Sequence, residues 1–573
     1  MEFNPELPCS SNFDYPEAAI HACICDSNTD VDSLRLRALL STCSPNALNH
    51  LDDKWGSPLH VAIRYDNLDA TDQLLRAGAD AVTQREFRGM GFGPPAPIML
   101  AISLGRMALL QRLWQHMPPE MYANGGSRPY FSCLAHAARC GQVDILEWLL
   151  GVWDRWSQEA LSWVLKAAAT RLDFFFVEIL LPRMDYSSDV LNEALQAAAV
   201  DTQYENAELS RELCTTAECL SQERIIRALI NKGADANAIS RDGEPLVTET
   251  ARFTERAVAL RALLERGADP NATRKNGNTA LHLLATPIYT KKSLQTTRKP
   301  HEVGIRLLLQ HGASMYTKAA RGELPLHRAA FGGNMRIFQL YLSALIPEDQ
   351  NSAVFLRLDN GYGESLLHWA AAGGQCDMLE HLLSLDGSSA HVNDQTDNGW
   401  TPLMCALVPE SSASKGAQEA IQAARLLLAH GADPLISTTD GWTPLHCLAL
   451  HRDTRPYGEA YVLTKELIAM GVDLDARAAQ LNTRRDAWGH YAQVALEETG
   501  ASPRRLFRTG MTPLLLAADR GAFGVSRALI DSGADLSCTD GAGRDAVQLA
   551  WRWRYLHEED MYQHVIFRRR GMA

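Results

Sequence analysis

The sequence predicts an all-α solenoid of stacked helix pairs, on three observations. A short signature recurs seven times near the end of an apolar stretch: Gly78-Ala79-Asp80, Gly233-Ala234-Asp235, Gly267-Ala268-Asp269, Gly312-Ala313-Ser314, Gly431-Ala432-Asp433, Gly471-Val472-Asp473 and Gly533-Ala534-Asp535. A second alternates with it: Ser57-Pro58-Leu59-His60, Thr279-Ala280-Leu281-His282, Leu324-Pro325-Leu326-His327, Ser365-Leu366-Leu367-His368, Thr401-Pro402-Leu403-Met404, Thr443-Pro444-Leu445-His446 and Thr512-Pro513-Leu514-Leu515. The closest copies of the first, at Gly233 and Gly267, stand 34 residues apart, a period that marks a repeat array. Such an array has no single enclosed active site; its ordinary product is a long binding surface.

Two motifs recurring in this order resemble the ankyrin-repeat family, marked by Thr-Pro-Leu-His, an apolar helix and then Gly-Ala-Asp. The resemblance is clearest over 53–82, 227–284, 303–337, 360–383, 393–449, 464–476 and 508–545, roughly half the chain. It implies an ankyrin-repeat solenoid of stacked helix pairs with β-hairpin fingers between repeats. Long, degenerate, insertion-bearing arrays of this type resemble those of filamentous fungi, where some relatives serve as regulatory or transcriptional co-factors.

The 573 residues are 46% hydrophobic and 21% charged, ordinary values for an ordered chain. A net charge of −13 and the lack of a basic region with heptads argue against direct nucleic-acid binding. Met1 to Ser11 is polar, without the basic start and apolar core of a secretory signal. No stretch approaches the ~20 apolar residues of a membrane span. Twelve scattered cysteines, mostly within apolar helical runs, suit a reduced compartment, cytoplasmic or nuclear.

In order along the chain, 1–52 reads as an N-terminal capping helix pair, Ala18–Cys25 and Leu34–Leu40. Residues 53–236 hold the first clear repeat and degenerate helix pairs. In that repeat Pro58 opens the first helix, where its missing N–H has no partner anyway, and Thr71–Arg76 belongs to the second. Gly78 then supplies a left-handed C-cap. Gly89, Gly91 and Gly93, with charged flanks before and prolines after, form an extended connection rather than a phosphate loop. Helical spacing of apolar residues then marks four pairs: Pro97–Leu104 with Ala108–Trp114, Phe131–Arg139 with Val143–Leu150, Gln158–Thr170 with Phe174–Leu181, and Val190–Val200 with Arg224–Asn231. Residues 237–545 carry the well-marked repeats. Insertions at 201–220, 287–300, 409–418 and 451–458 fall between paired helices; a fifth, 478–506, falls between repeats. Residues 546–573 form a C-terminal capping helix, with Trp551, Trp553 and Tyr555, and a basic tail, Arg568 to Arg570.

No catalytic motif is present: neither His-Glu-x-x-His, Gly-x-Ser-x-Gly nor Cys-x-x-Cys occurs. We expect no catalytic residue, no metal and no cofactor. A threonine opening the first helix caps it through its hydroxyl. The resemblance implies that His60, His282, His327, His368 and His446 hydrogen-bond across to the next finger. One repeat apart, they are too distant to share a metal at bond lengths of ~2 Å.

Function therefore moves to positions that the fold does not need. The resemblance places these at the finger tips and on the exposed face of the first helices. The position after the finger glycine holds Glu244, Asn278, Glu323, Glu364, Trp400, Trp442 and Met511; nearby candidates are Lys275, Asn276, Arg321, Tyr362, Asp397, Asn398 and Asp440. Trp400 and Trp442 on consecutive fingers either anchor a partner or pack on each other. Glu323 and Glu364 give the middle an acidic character that favours a basic partner.

The leading expectation is a monomeric, non-enzymatic interaction scaffold presenting a concave groove to a protein or peptide, without membrane or nucleic-acid contact. The alternative is an enzyme with a pocket in that face or in 97–236, where His116, His136, Glu147, Asp173 and Glu178 are the available ionisable groups. A third reading is an adaptor whose specificity lies in the insertions 287–300 and 409–418.

Overall fold

The computed structural model describes residues 19–26, 30–52, 55–81, 96–116, 133–200, 216–251, 257–285, 302–385, 391–408, 417–451, 457–479 and 510–550. The chain divides into two compact units, 1–240 with 258–267, and 241–257 with 268–573.

In the first unit, helices Ala19–Asp26 and Asp30–Thr42 pack together and onto Pro58–Arg64 and Leu68–Arg76, the next pair. Pro97–Ser103 with Met107–His116, Cys133–Cys140 with Val143–Val152, Gln158–Thr170 with Phe174–Leu180, and Ser188–Ala199 with Thr216–Lys232 follow in sequence. First helix packs on first helix along this series. The contact is lined by buried alanines (Ala135, Ala137, Ala138, Ala168, Ala169, Ala197, Ala198, Ala199), which lack any atom beyond Cβ to hold the backbones apart. Apolar spacing without motifs therefore located these pairs. Its largest boundary error is at the last helix, which begins at Thr216 rather than Arg224 and so takes in the end of the insertion expected at 201–220.

The second unit repeats the scheme with the motifs in place. Its first helices are Leu246–Ala251, Ala280–Ala285, Pro325–Gly332, Leu366–Ala372, Pro402–Leu407, Pro444–Leu448, Pro513–Arg520 and Ala546–Ala550, each against the next. Glu302–Gln310, Met335–Leu342, Cys376–Leu383, Ala417–Ala429, Glu459–Ala469 and Phe523–Asp531 are their partners. A 3-10 turn, Pro347–Gln350, and a short helix, Ser352–Phe355, interrupt the series where no motif announced them.

The Gly-Ala-Asp signature does what its chemistry requires. The seven glycines have positive φ, from 87° to 119°. After six of them the next amide turns back onto the helix just ended, as Ala313 N to Leu308 O at 2.9 Å and Ala432 N to Leu427 O at 3.0 Å. β-Hairpin fingers are not seen as strands. Among the described residues only isolated antiparallel bridges close the turns, such as Asp359 with Ser365 and Ala478 with Met511, because the chain enters the next helix one or two residues later.

No helix among the described residues is long and apolar enough to cross a membrane. The glycines at 89–93, the tail 551–573 with Trp551, Trp553, Tyr555 and Arg568 to Arg570, and the insertions, apart from their ends, lie outside the described residues.

Candidate interaction surface

The loops of the second unit share one five-residue turn. At 396–400, Thr396 N donates to Trp400 O at 2.9 Å and Gly399 N to Thr396 O at 2.8 Å, with Gly399 at φ 83°. The same pattern joins Thr438 to Trp442, Ala319 to Glu323, Arg274 to Asn278 and Asp540 to Arg544.

A buried histidine stands in five of the seven motifs, and Met404 and Leu515 take its place in the other two. In His368, Nδ1 accepts from Ser365 N at 3.1 Å, so Nε2 carries the proton and donates to Trp400 O in the next loop at 3.1 Å. His282 reaches Glu323 O, His327 reaches Leu358 O and His446 reaches Met511 O, each at 3.1 Å. His60 binds Ser57 in the same way. In the first unit His21, which sequence reasoning passed over because no Thr-Pro-Leu precedes it, reaches Gly56 O at 3.1 Å. Burial pushes the imidazoles of His21, His282, His327, His368 and His446 down to about 4, so they are neutral near pH 7.

The loop tips are stitched to one another. Lys275 Nζ donates to Asp242 O (2.9 Å), Ala320 N to Asn276 O (3.1 Å), and Asn360 Nδ2 to Arg321 O (2.9 Å). Asp397 N then donates to Tyr362 O (2.9 Å), Thr439 N to Asn398 O (2.9 Å), and Ala479 N to Asp440 O (2.7 Å). This approach leaves no room for a side chain on the loop glycine: a Cβ on Gly322 would lie 2.1 Å from Asn360 O.

A second row of ties runs along the other end of the repeats. The side chains of Asn192, Asn271 and Asn393 accept from the amides of Asp235, Ser314 and Asp433, each at the following Gly-Ala-Asp. Sequence reasoning missed these asparagines, although they stand a near-constant distance before the next signature.

The position after the loop glycine is corrected from exposed to buried through the middle of the row. Trp400 and Trp442 are 2% and 4% exposed, and Glu323 and Glu364 are 2% and 0%. Each side chain turns back under its own loop, where the neighbouring loop covers it. The two indoles lie 6.3 Å apart, and Trp442 lies 5.7 Å from the His446 ring. Asn278 and Met511, at the same position, are half-buried, as are Tyr362 and Asp440; Asn398 is buried and Asp397 exposed.

The acidic middle is corrected with it. Glu323 Oε1 lies 2.6 Å from Arg328 Nη2, and Arg328 stands over Trp369 at 5.3 Å. Burial pushes the Glu323 carboxyl up, but the charge and hydrogen bond of Arg328 outweigh it and hold it below the usual carboxylate range. Glu364 Oε2 accepts from Asn360 Nδ2 at 2.8 Å. Glu244 pairs with Arg274 Nε at 3.0 Å. These carboxylates secure loops from within. The first helices Leu366–Ala372, Pro402–Leu407 and Pro444–Leu448 are likewise buried at every position, so the exposed face expected there is absent.

The ionisable groups of 97–236 do not converge. His136 accepts from Arg139 Nη2 at Nδ1 (2.8 Å), so its Nε2 proton donates to Ser103 Oγ (2.6 Å), whose own proton goes to Met99 O (2.9 Å). That direction of donation makes His136 no base toward Ser103. Asp173 caps Phe174–Leu180 through Phe176 N, while His116, Glu147 and Glu178 are exposed. Among the described residues, no group of three or more His, Cys, Asp or Glu could hold a metal.

Models of the ankyrin repeat match residues 56–86 and 509–541 singly, and models of three successive repeats match 297–394, 326–414 and 367–455. No curated protein matches the chain. Ankyrin repeats generally mediate protein–protein interaction, and proteins built from them are typically non-enzymatic. With the matched motifs, the histidine ties and the helix-pair stacking in agreement, the chain carries ankyrin repeats over 56–86, 297–455 and 509–541.

Proposed function

We propose that the chain is a non-enzymatic interaction scaffold whose second unit presents a row of loop edges to a protein or peptide partner. The observation that supports this most is the stitching of the loops. Tip-to-tip bonds and a buried column fix successive backbones, so outward side chains stand in a set register before any partner arrives. Such preorganisation lowers the ordering cost of association. Asn278, Tyr362, Asp440 and Met511 form the contact edge in this reading. Trp400, Trp442, Glu323, Glu364 and Asn398 support it from inside. Asp397 and Asp440 are the carboxylates offered to basic residues of the partner, steering it and sharpening selectivity.

Affinity capture from native lysate with the full chain tests this reading, with wild type beside Y362A/D440A. The expected result is loss of a defined partner from the variant at an unchanged melting temperature. Recovery of the same proteins by both would overturn it. The W400A/W442A variant serves as a contrast, in which stability and capture fall together.

A further inference from the structure

Along the first unit, Arg106, Arg112, Lys166 and Lys232 each pair with a carboxylate: Asp66, Asp72, Glu193 and Asp185. Arg139 and Arg171 are held differently. Arg139 stands in the last turn of Cys133–Cys140, and its Nη2 donates to His136 Nδ1 at 2.8 Å. Arg171 is the C-cap of Gln158–Thr170, the next first helix, and its Nη1 donates to Arg139 O at 2.7 Å. Burial, and then the charge of Arg139, push His136 down to about 4, so both acceptors are neutral near pH 7. Both arginines are exposed. Asp173 is half-buried and caps Phe174–Leu180, and burial pushes its carboxyl up despite Arg171. Neither arginine forms an ion pair with it, with exposed Asp144 or with any other carboxylate among the described residues.

We infer that Arg139 and Arg171 bind the phosphate monoester of a phosphorylated protein segment. The two charges rise from one helix end, because Arg171 is bonded to the carbonyl of Arg139 itself. A Cβ on Gly141 would stand 3.1 Å from Arg171 Nη2, so that guanidinium lies over the turn after Cys140. Val143–Val152 opens from the same turn, and its N-cap, Gln142, makes no side-chain cap bond there. Amides at a helix start favour an anion. A carboxylate in the place of His136 would cancel the charge of Arg139; a neutral imidazole orients the guanidinium and leaves that charge for a ligand. A phosphate monoester brings a charge of about −1.5 to −2 and three acceptor oxygens, which two guanidiniums match and a single carboxylate does not. The net charge of −13 repels a long polyanion and so favours a protein segment over a nucleic acid. This goes beyond the scaffold reading and lies in the other unit, so either can fail alone.

The test uses the full chain and three fluorescein-labelled Gly/Ser peptides that differ only at the central residue, which is phosphoserine, glutamate or serine. Fluorescence anisotropy at low salt is expected to give about tenfold tighter binding of the phosphoserine peptide than of the serine peptide, with glutamate between them, narrowing as salt screens the charges. Inorganic phosphate should compete. R139Q/R171Q should remove the preference with the helical circular dichroism intact. R139K/R171K, which keeps the charges and loses the planar fork, should reduce it. Equal affinity for phosphoserine and serine, glutamate bound as tightly as phosphoserine, or a preference unchanged in both variants overturns the inference. So does a single-stranded RNA of the same length that binds wild type more tightly than the phosphoserine peptide and is lost in R139Q/R171Q, since the site would then be a nucleic-acid contact. The loop edge of the second unit is untouched by these variants, and its own test with Y362A/D440A is read separately.

Discussion

Residues 133–199 and 325–448 are built from the same helix pairs but held in register by different means. The first region packs alanine-rich helices and caps them with Ser157, Asp173 and Ser187. Its repeats are tied by scattered contacts, such as Lys166 to Glu193 at 3.0 Å and Arg171 Nη1 to Arg139 O at 2.7 Å. The second adds a buried histidine from first helix to next loop, a tip-to-tip bond and a column of side chains beneath the tips. The Thr-Pro-Leu-His signature therefore reports how loops are joined rather than whether helix pairs form. Degenerate repeats keep the helices and lose the joined row.

The sharpest way to break this comparison is acid. The imidazoles of His282, His327, His368 and His446 fall from 6.5 to about 4 on folding. A depressed value means that the unfolded chain binds the proton first. Their stabilisation is therefore complete above pH 6.5 and drains away as pH falls toward 4. At ~1.4 kcal/mol per unit, each loses on the order of 3 kcal/mol at most. Hydrogen exchange between pH 7 and 4 should show amides of 325–448 losing protection before those of 158–199. Simultaneous loss would mean that the histidine ties do not distinguish the regions.

Next in size are the tryptophans. W400A or W442A removes a buried indole, which costs about 3–5 kcal/mol in a core that cannot collapse around the gap. Chemical denaturation should show that loss for each single variant. A change below about 1 kcal/mol would restore both rings to the surface. G322A is smaller, at about 2–3 kcal/mol, because its methyl group meets Asn360 O and its φ of 76° disfavours any Cβ. It should also loosen the neighbouring tip at 360–364, measurable by exchange at those amides.

Much of this was legible in the chain and some was not, for physical reasons. Apolar spacing found Gln158–Thr170 to the residue, because helix periodicity is local. The glycines at 78 and 431 and the histidines at 282 and 368 act through backbone conformation and a single next-loop bond, so their types disclosed their roles. The direction of a loop side chain is different. Trp400 and Glu323 are buried because a neighbouring loop comes to cover them, and that approach is set by packing one repeat away. The charge of Glu323 was misleading for the same reason. Its neutralising partner, Arg328, sits on the following helix, and the equivalent partner of Glu244 is Arg274, thirty residues on. What faces the solvent is then a different set of charges, Lys275, Lys318 and Asp397 among them.

The smallest effect probes the degenerate side. Ser187 Oγ accepts from Val190 N at 3.5 Å at the start of Ser188–Ala199, a long bond at an exposed helix end. Replacing it with alanine should cost at most about 1 kcal/mol, the lower half of the range for lost caps. The helix keeps its packing on Gln158–Thr170 through Leu191, Ala194 and Leu195, so the variant should melt only slightly earlier. If S187A instead unfolds 133–199 as a block, packing there is too weak to carry the helices alone. The capping hydroxyls would then be holding this region as the histidines hold 325–448, and the contrast between the two would reduce to a choice of which polar group ties each repeat.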